Sequence, residues 1–117
     1  VQLKKLEKLN KIRKKTARIY SQEIKLDSIM PFDHNCSYHF FWICVKSRKK
    51  FRKFMSDHGI ETGTHYKPIH KMTFFDKKIH LKNTEQVSNE IVTIPTHPNL
   101  SEDDISYIIK KINLFNA

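Results

Sequence analysis

The sequence predicts an α+β fold, a small sheet of about three strands with helices packed on one face. Two stretches with apolar residues at three- and four-residue steps, one at each end of the chain, predict amphipathic helices. Between them lie three short runs rich in β-branched and aromatic residues, which predict strands. Because 117 residues give room for one domain, we expect residues 1–117 to form a single domain.

The first helix is predicted over about residues 2–25. Lysine and arginine fill most positions between its apolar residues, which is typical of a helix with one face on a core and the other in water. Residues 27–35 contain Pro31 and two acidic residues, and they predict a loop. The apolar positions at helical spacing are Leu3, Leu6, Leu9, Ile12, Ile19, Tyr20 and Ile24.

Residues 37–45 are almost continuously apolar and aromatic, and they predict a strand covered on both faces. The next helix is predicted to be capped by Ser47, since serine is a preferred N-cap residue. Gly59 is expected to end that helix in a left-handed conformation. The apolar face of the helix consists of Phe51, Phe54 and Met55.

Residues 60–66 predict the second strand. Residues 67–82 have no clear period and contain Pro68, so they predict a loop with one helical turn around Phe74 and Phe75. Such loops, held on a scaffold, often carry binding residues.

A short third helix is predicted from Asn83 to about residue 90, because Asn83 and Gln86 resemble a capping box. Residues 91–96 predict the third strand, which Pro95 stops.

The last helix is predicted to be capped by Ser101, with Asp104 near its positive end. Its buried stripe consists of Ile105, Ile108, Ile109 and Ile112.

The charge balance is strongly basic, with 22 Lys and Arg against 12 Asp and Glu and a formal net charge of +10. Such a balance is compatible with a nucleic-acid-binding surface or with lysine-rich helix faces in water. We favour the second interpretation, because Phe51 and Phe54 in the basic segment fit a buried helix face better than a base-stacking platform. We therefore predict no nucleic-acid partner.

Other classes of protein are excluded by composition. No apolar run is long enough to span a bilayer, so no membrane partner is predicted. Cys36 and Cys44 are too few and too far apart for a zinc site or a disulfide scaffold, and a reducing, cytoplasmic setting is expected. With only Gly59 and Gly63, the chain has no glycine-rich phosphate loop.

The candidate chemistry lies in the segment His65-Tyr66-Lys67-Pro68-Ile69-His70, which runs from a predicted strand end into the irregular loop. Its imidazole and phenol groups can hydrogen-bond phosphate or sugar hydroxyls. The alternative is a polar turn in which each side chain pairs locally. We predict no metal, because His65 and His70 have no obvious third ligand. His39, among aromatic residues in a predicted strand, is expected to be a core histidine with satisfied hydrogen bonds.

Four segments together resemble the C-terminal portion of the DegT/DnrJ-type sugar aminotransferases, which are fold-type I pyridoxal 5'-phosphate (PLP) enzymes. The HY-x-P-x-H string and the P-x-HP-x-L-[S/T] string, in this order and at this separation, are specific to the resemblance. The four segments are LKKLEKLNKIRKKTARIY, SYHFFWICV, RKKFRKFMSDHGIETGTHYKPIH and NTEQVSNEIVTIPTHPNLSEDDISYIIKKIN.

The resemblance implies an enzyme that moves an amino group from glutamate to a nucleotide-linked keto-sugar for surface polysaccharide or glycan synthesis. In this family the PLP-binding lysine lies in a large domain upstream, the protein is a homodimer, and the active site lies between subunits. None of the lysines here matches the motif of the PLP-binding lysine. We therefore expect a C-terminal small domain, cut from a longer protein, that carries no catalytic residue and is inactive alone.

By family position, His65, Tyr66 and His70 are predicted to face the nucleotide-sugar, where they hydrogen-bond and orient it. Lys67 occupies a variable position, and we expect it to point to water rather than to a diphosphate. His39 is a lesser candidate. Two alternatives remain open: a stand-alone, non-catalytic module that binds a nucleotide-sugar or completes a separate large domain, and a basic nucleic-acid-binding domain.

Overall fold

A computed structural model describes residues 1–75 and 79–116 and confirms the α+β class. Two one-turn 3₁₀ helices, Ile69–Lys71 and Thr73–Phe75, lie between the second and third α-helices. Within the described residues, no helix has both the length and the apolar character needed to cross a bilayer. The α-helices and strands are α1 (Gln2–Glu23), β1 (Phe41–Cys44), α2 (Arg48–Asp57), α3 (Lys82–Glu90), β2 (Ile91–Ile94) and α4 (Glu102–Asn116).

The sheet consists of β1 and β2, which pair antiparallel with Phe41 opposite Ile94 and Ile43 opposite Val92. These four side chains are buried and lie on one face, because residues two apart in a strand point the same way. A single bridge extends the sheet on each side: Ile29 pairs with Ile43, and Gly63 pairs with Thr93. The sheet is therefore narrow, and it joins two loop segments at its edges.

The predicted strand over residues 60–66 is wrong, because in the structure only Gly63 pairs with β2. The Gly63 and Thr93 backbones exchange two hydrogen bonds, each 2.9 Å long. Side chains hold the neighbouring residues instead. Arg52 donates to the Thr62 carbonyl oxygen at 3.1 Å, and His65 bonds the Thr93 side chain.

The first strand is shorter than the predicted 37–45, because Tyr38 turns the chain before Phe41. Tyr38 has a left-handed φ of 51° and is fully buried. Its hydroxyl accepts from the Asp33 backbone N–H and lies within hydrogen-bond reach of the Pro31 carbonyl. Tyr38 thus anchors the preceding loop to the core instead of pairing in the sheet.

One apolar core joins the sheet to three helices. The second half of α1 contributes Ala17 and Tyr20, whereas its first turns are exposed, with Leu3 83% accessible. The Tyr20 hydroxyl donates to the Pro95 carbonyl at 2.8 Å, and burial raises its pKa above the ordinary value. The predicted stripe of α4 is buried and confirmed, and with it Phe51 and Met55 of α2.

The ends of α2 and α3 agree with the predicted helix caps only in part. Gly59 has a φ of 74°, as predicted for the residue that ends α2, whereas Ser47 occupies the N-cap position without a side-chain capping bond. The predicted Asn83–Gln86 capping box is wrong. α3 begins at Lys82, and the carboxylate that accepts from the N-cap backbone N–H of Leu81 is that of Glu85.

The predicted loop over residues 67–82 contains the two 3₁₀ turns. The turn predicted around Phe74 and Phe75 is confirmed by the one-turn helix Thr73–Phe75. Residues 76–78 of this predicted loop lie outside the described residues.

The N-terminus of α4 is closed by a reciprocal pair of bonds between Ser101 and Asp104. The Ser101 Oγ accepts from the Asp104 backbone N–H at 3.1 Å, and the Asp104 carboxylate accepts from the Ser101 backbone N–H at 2.8 Å. This is the capping-box arrangement, so the predicted Ser101 cap is confirmed. The Ser101 side-chain hydroxyl, followed by its backbone N–H, lowers the pKa of Asp104.

Replacing Ser101 by alanine is expected to lower the free energy of unfolding by about 1 kcal/mol, the usual cost of losing an N-cap hydroxyl. The pKa of Asp104 should also rise, because its first bonding partner is gone. Ser106→Ala is the matched control, since Ser106 is exposed in the same helix. Urea denaturation and NMR titration of Asp104 measure both effects. Equal stability of the two variants would contradict the capping role.

Candidate functional site

The structure contains several cavities, and two of them contain predicted site residues. The first lies where the loop after Gly63 meets the edge of β2. Its volume is about 450 Å³. It brings together side chains from four parts of the sequence, and several of these side chains carry hydrogen-bonding groups. They include Arg13, His39, Phe40, His65, Thr93 and His97.

His65 has a fixed orientation in this cavity. Its Nδ1 lies 2.8 Å from the Thr93 Oγ1, at hydrogen-bond distance. Its ring stacks on Phe40 with the ring centroids 5.9 Å apart and the planes 8° apart. The Tyr66 ring packs edge-on against the imidazole, with the ring centroids 4.9 Å apart. Since Nδ1 is occupied and Nε2 has no partner among the described residues, His65 presents one ring nitrogen for a ligand.

Gly63 makes this arrangement possible because it leaves room beside the imidazole. A Cβ at residue 63 would lie 2.6 Å from both the Cε1 of His65 and the Oγ1 of Thr93. These distances are well below van der Waals contact. The two backbone bonds to Thr93 hold Gly63 in place. Glycine at residue 63 is therefore required for the contact between His65 and Thr93.

The second cavity, about 540 Å³ in volume, is mainly apolar and contains His70 at its edge. His70 is largely buried, and its Nε2 lies 3.2 Å from Glu85 Oε1. Lys71 lies 3.2 Å from the other carboxylate oxygen, and the Leu81 backbone N–H donates to Glu85 at 3.2 Å. Glu85 thus connects the first 3₁₀ turn to the start of α3.

The predicted site residues are divided between the two cavities, whose linings share no residue. His65 lines the first cavity, and His70 and the exposed Lys67 line the second. Tyr66 is 67% exposed and lines neither cavity. The expectation that His39 is a core histidine is wrong, because His39 precedes β1 and is exposed at the edge of the first cavity.

Comparison with known proteins gives the family. The sequence model for the DegT/DnrJ/EryC1/StrS aminotransferase family matches residues 1–113. The chain belongs to this family. The match covers nearly all of the chain and confirms the resemblance carried by its histidine, tyrosine and proline motifs.

The relatives of the chain within the aminotransferase family include sugar aminotransferases. A dTDP-3-amino-3,6-dideoxy-α-D-galactopyranose transaminase of Aneurinibacillus thermoaerophilus is 25% identical over 98% of this chain and 34% of its own length. The aminotransferase TlmJ of Streptoalloteichus hindustanus has a TM-score of 0.88 at 24% identity, over 97% of this chain and 33% of its own. A DegT-family aminotransferase of Brucella abortus has a TM-score of 0.80 at 25% identity, over 97% of this chain and 32% of its own.

The chain therefore spans about a third of the length of these family members. Aminotransferases of this family depend on PLP. Neither of these two cavities offers a buried lysine that could hold PLP, because no lysine lines the first and Lys67 of the second is exposed. Residues 1–75 and 79–116 contain no group of three side chains able to hold a metal ion.

Sequence reasoning missed several residues of both cavities. Gly63 is one of just two glycines and stands two residues before His65, which is the local signal for its role. Thr93 and Phe40 lie far from His65 in sequence, so only the strand register reveals their contact. Glu85 is adjacent to the predicted capping position, and a carboxylate there is a helix-start signal that identifies it.

The pKa of Glu85 lies below its ordinary value, first because of the Leu81 backbone N–H and then because of Lys71 and His70. A lowered carboxyl pKa stabilises the folded state above the ordinary value of 4.5, and this stabilisation is lost as pH falls through the lowered value. Glu85→Gln is therefore expected to lower stability near neutral pH and to change it little in acid.

Urea denaturation of the wild type and the Gln variant, at about pH 7 and about pH 3, tests this expectation. Glu7→Gln is the control, because Glu7 forms only one exposed ion pair with Lys11. An equal loss of stability at both pH values would show that the ionised carboxylate of Glu85 does not stabilise the fold.

Proposed function

We propose that this chain is the C-terminal small domain of an aminotransferase that moves an amino group from glutamate to a nucleotide-linked keto-sugar. PLP, held by a lysine elsewhere in the protein, supplies the chemistry that carries the amino group. The chain contributes a wall of the substrate site and no catalytic residue. The observation that carries the proposal is the orientation of His65 in the first cavity by Thr93, Phe40 and Gly63.

The chemistry of the first cavity supports a sugar or phosphate ligand. Imidazole nitrogens, a threonine hydroxyl and a guanidinium offer donors and acceptors that match hydroxyls and phosphate oxygens. The volume lies within the usual range of small-molecule sites. Because His65 is held on two sides, it is oriented before a ligand arrives, and little conformational freedom is lost on binding.

His70 and Tyr66 have different parts in this proposal. The Nε2 of His70 is directed at Glu85, so only its Nδ1 is left for a ligand in the second cavity. Tyr66 is exposed and packs on His65, which lets its hydroxyl contact a substrate that covers the cavity. We propose that both residues contact the nucleotide-sugar from the outer side, while Lys67 remains in water and His39 lies at the rim.

The complete protein is proposed to be a cytoplasmic homodimer that supplies an aminated sugar for surface polysaccharide or glycan synthesis. Size-exclusion chromatography with light scattering of the complete protein tests the dimer.

The experiment that tests the function uses the complete gene. We expect the reading frame to extend upstream of Val1 and to encode a PLP-binding lysine. The purified complete protein should absorb visible light when PLP is bound, lose that absorbance with glutamate and regain it with a nucleotide-linked keto-sugar. A reading frame that begins near Val1, or a complete protein that binds no PLP, would instead support a stand-alone module.

A further inference from the structure

Arg13 places a permanent positive charge in the cavity that contains His65. It comes from the middle of α1, far from the histidine motif in sequence, and the fold brings it to the cavity that Thr93 and His97 also line. Within residues 1–75 and 79–116, Arg13 is the one lysine or arginine that lines this cavity.

Three other cations of α1 have partners outside the cavity. Lys11 pairs with Glu7 at 3.2 Å, and Lys15 pairs with Glu102 at 2.7 Å. Arg18 lies 4.9 Å above the Phe32 ring.

Arg13 itself donates from Nη1 to the Asn10 side-chain oxygen at 3.2 Å and is half-buried. It forms no ion pair with a carboxylate among the described residues, although Glu61 also lines the cavity. A single bond to a neutral amide orients the guanidinium while leaving most of its N–H donors available.

On the basis of the function proposed above, we propose that Arg13 binds the diphosphate group of the nucleotide-linked sugar. The planar guanidinium presents paired N–H donors that match two phosphate oxygens, which gives both charge and geometric selectivity. In a nucleotide linked to a neutral keto-sugar, the diphosphate is the one charged part near neutral pH. His65 and His97 offer imidazole nitrogens on the same cavity, so the sugar or ribose hydroxyls next to the diphosphate have partners within reach.

The test is calorimetric titration of the complete protein with four probes: UDP, dTDP, and the nucleosides uridine and thymidine. Arg13→Gln should raise the Kd of the nucleoside diphosphates by about tenfold or more, as expected for a lost charge-assisted pair. The Kd of the nucleosides should stay unchanged. Arg13→Lys should give an intermediate loss of affinity for the nucleoside diphosphates, because lysine keeps the charge but lacks the paired N–H donors.

The control is Lys11→Gln, which removes one positive charge from the same helix outside the cavity. It should leave the Kd of all four probes unchanged. His65→Gln is measured in parallel, because it tests the proposed function independently of Arg13. Thermal unfolding verifies that each variant is folded. If Arg13→Gln is not folded, the Kd values of Arg13→Lys test the assignment instead.

The outcomes separate the two proposals. In one outcome, the wild type binds UDP or dTDP, His65→Gln weakens this binding, and both Arg13 variants bind as the wild type does. The assignment of Arg13 is then overturned, and the proposed function stands. An equal loss of affinity for nucleosides and nucleoside diphosphates in the Arg13 variants also overturns the assignment of Arg13, because the lost contact is then not with phosphate. A wild type that binds neither diphosphate contradicts both proposals.

Discussion

Replacing Gly63 by alanine is expected to displace His65 and to destabilise the protein by about 2 kcal/mol, within the usual range for an added methyl group that does not fit. The new Cβ would lie 2.6 Å from both His65 Cε1 and Thr93 Oγ1. The two hydrogen bonds that join Gly63 to Thr93 oppose a backbone movement that would relieve these clashes. The imidazole therefore has to rotate out of its contact with Thr93, and the preoriented binding group is lost.

Urea denaturation of the purified protein and a crystal structure of the variant measure these effects. Gly59→Ala is the matched control. It meets no atom within 4 Å but has a φ of 74°, so it should cost about 1 kcal/mol through the backbone alone and leave the His65–Thr93 distance unchanged. A Gly63→Ala variant that retains the 2.8 Å distance would show that the cavity adapts more freely than its contacts indicate.

Replacing Phe41 by alanine should produce the largest loss of stability, about 3–5 kcal/mol, which is the usual cost of removing a buried phenylalanine. Phe41 is fully buried on the core face of the sheet, opposite Ile94. The Tyr20 ring meets it edge-on at 5.4 Å, and the Tyr38 ring stacks at 6.3 Å. Its removal leaves a cavity that joins α1, β1 and the preceding loop.

The same substitution at Phe74, which is 90% exposed, serves as the control and should change the free energy of unfolding by less than about 0.5 kcal/mol. Since domains are commonly stable by about 5–15 kcal/mol, Phe41→Ala removes a large share of the total. Chemical denaturation of both variants gives the comparison. Similar losses at the two residues would contradict the position of the core.

The helices were predictable because their signals are local. The isoleucine stripe of α4 and the Ser101 cap both depend on residues within a few positions of one another, and the structure confirms them. Strand lengths were less predictable. The apolar run 37–45 continues through Tyr38, yet this residue adopts a left-handed backbone to fix a loop, which apolar patterning does not encode.

The candidate site shows the same division between local and tertiary information. The motif identified His65 and His70 as neighbours in sequence, but the fold places them on different cavities. His65 takes its partners from β2 and from Phe40 just before β1, and His70 takes its partner from α3. Contacts between distant segments determine these partners, so the histidine motif itself does not indicate that Thr93 and Arg13 lie on the same cavity as His65.

The most direct test of the substrate wall separates the two half-reactions of the complete protein in rapid-mixing absorbance measurements. We compare the wild type with His65→Gln and with His34→Gln, a control in which the replaced histidine lines neither cavity. His65→Gln should slow the reaction with the nucleotide-linked keto-sugar by about tenfold or more, as expected for one lost polar contact, and leave the reaction with glutamate unchanged. If His65→Gln leaves both reactions unchanged, or slows them equally, His65 does not form part of the sugar-binding wall.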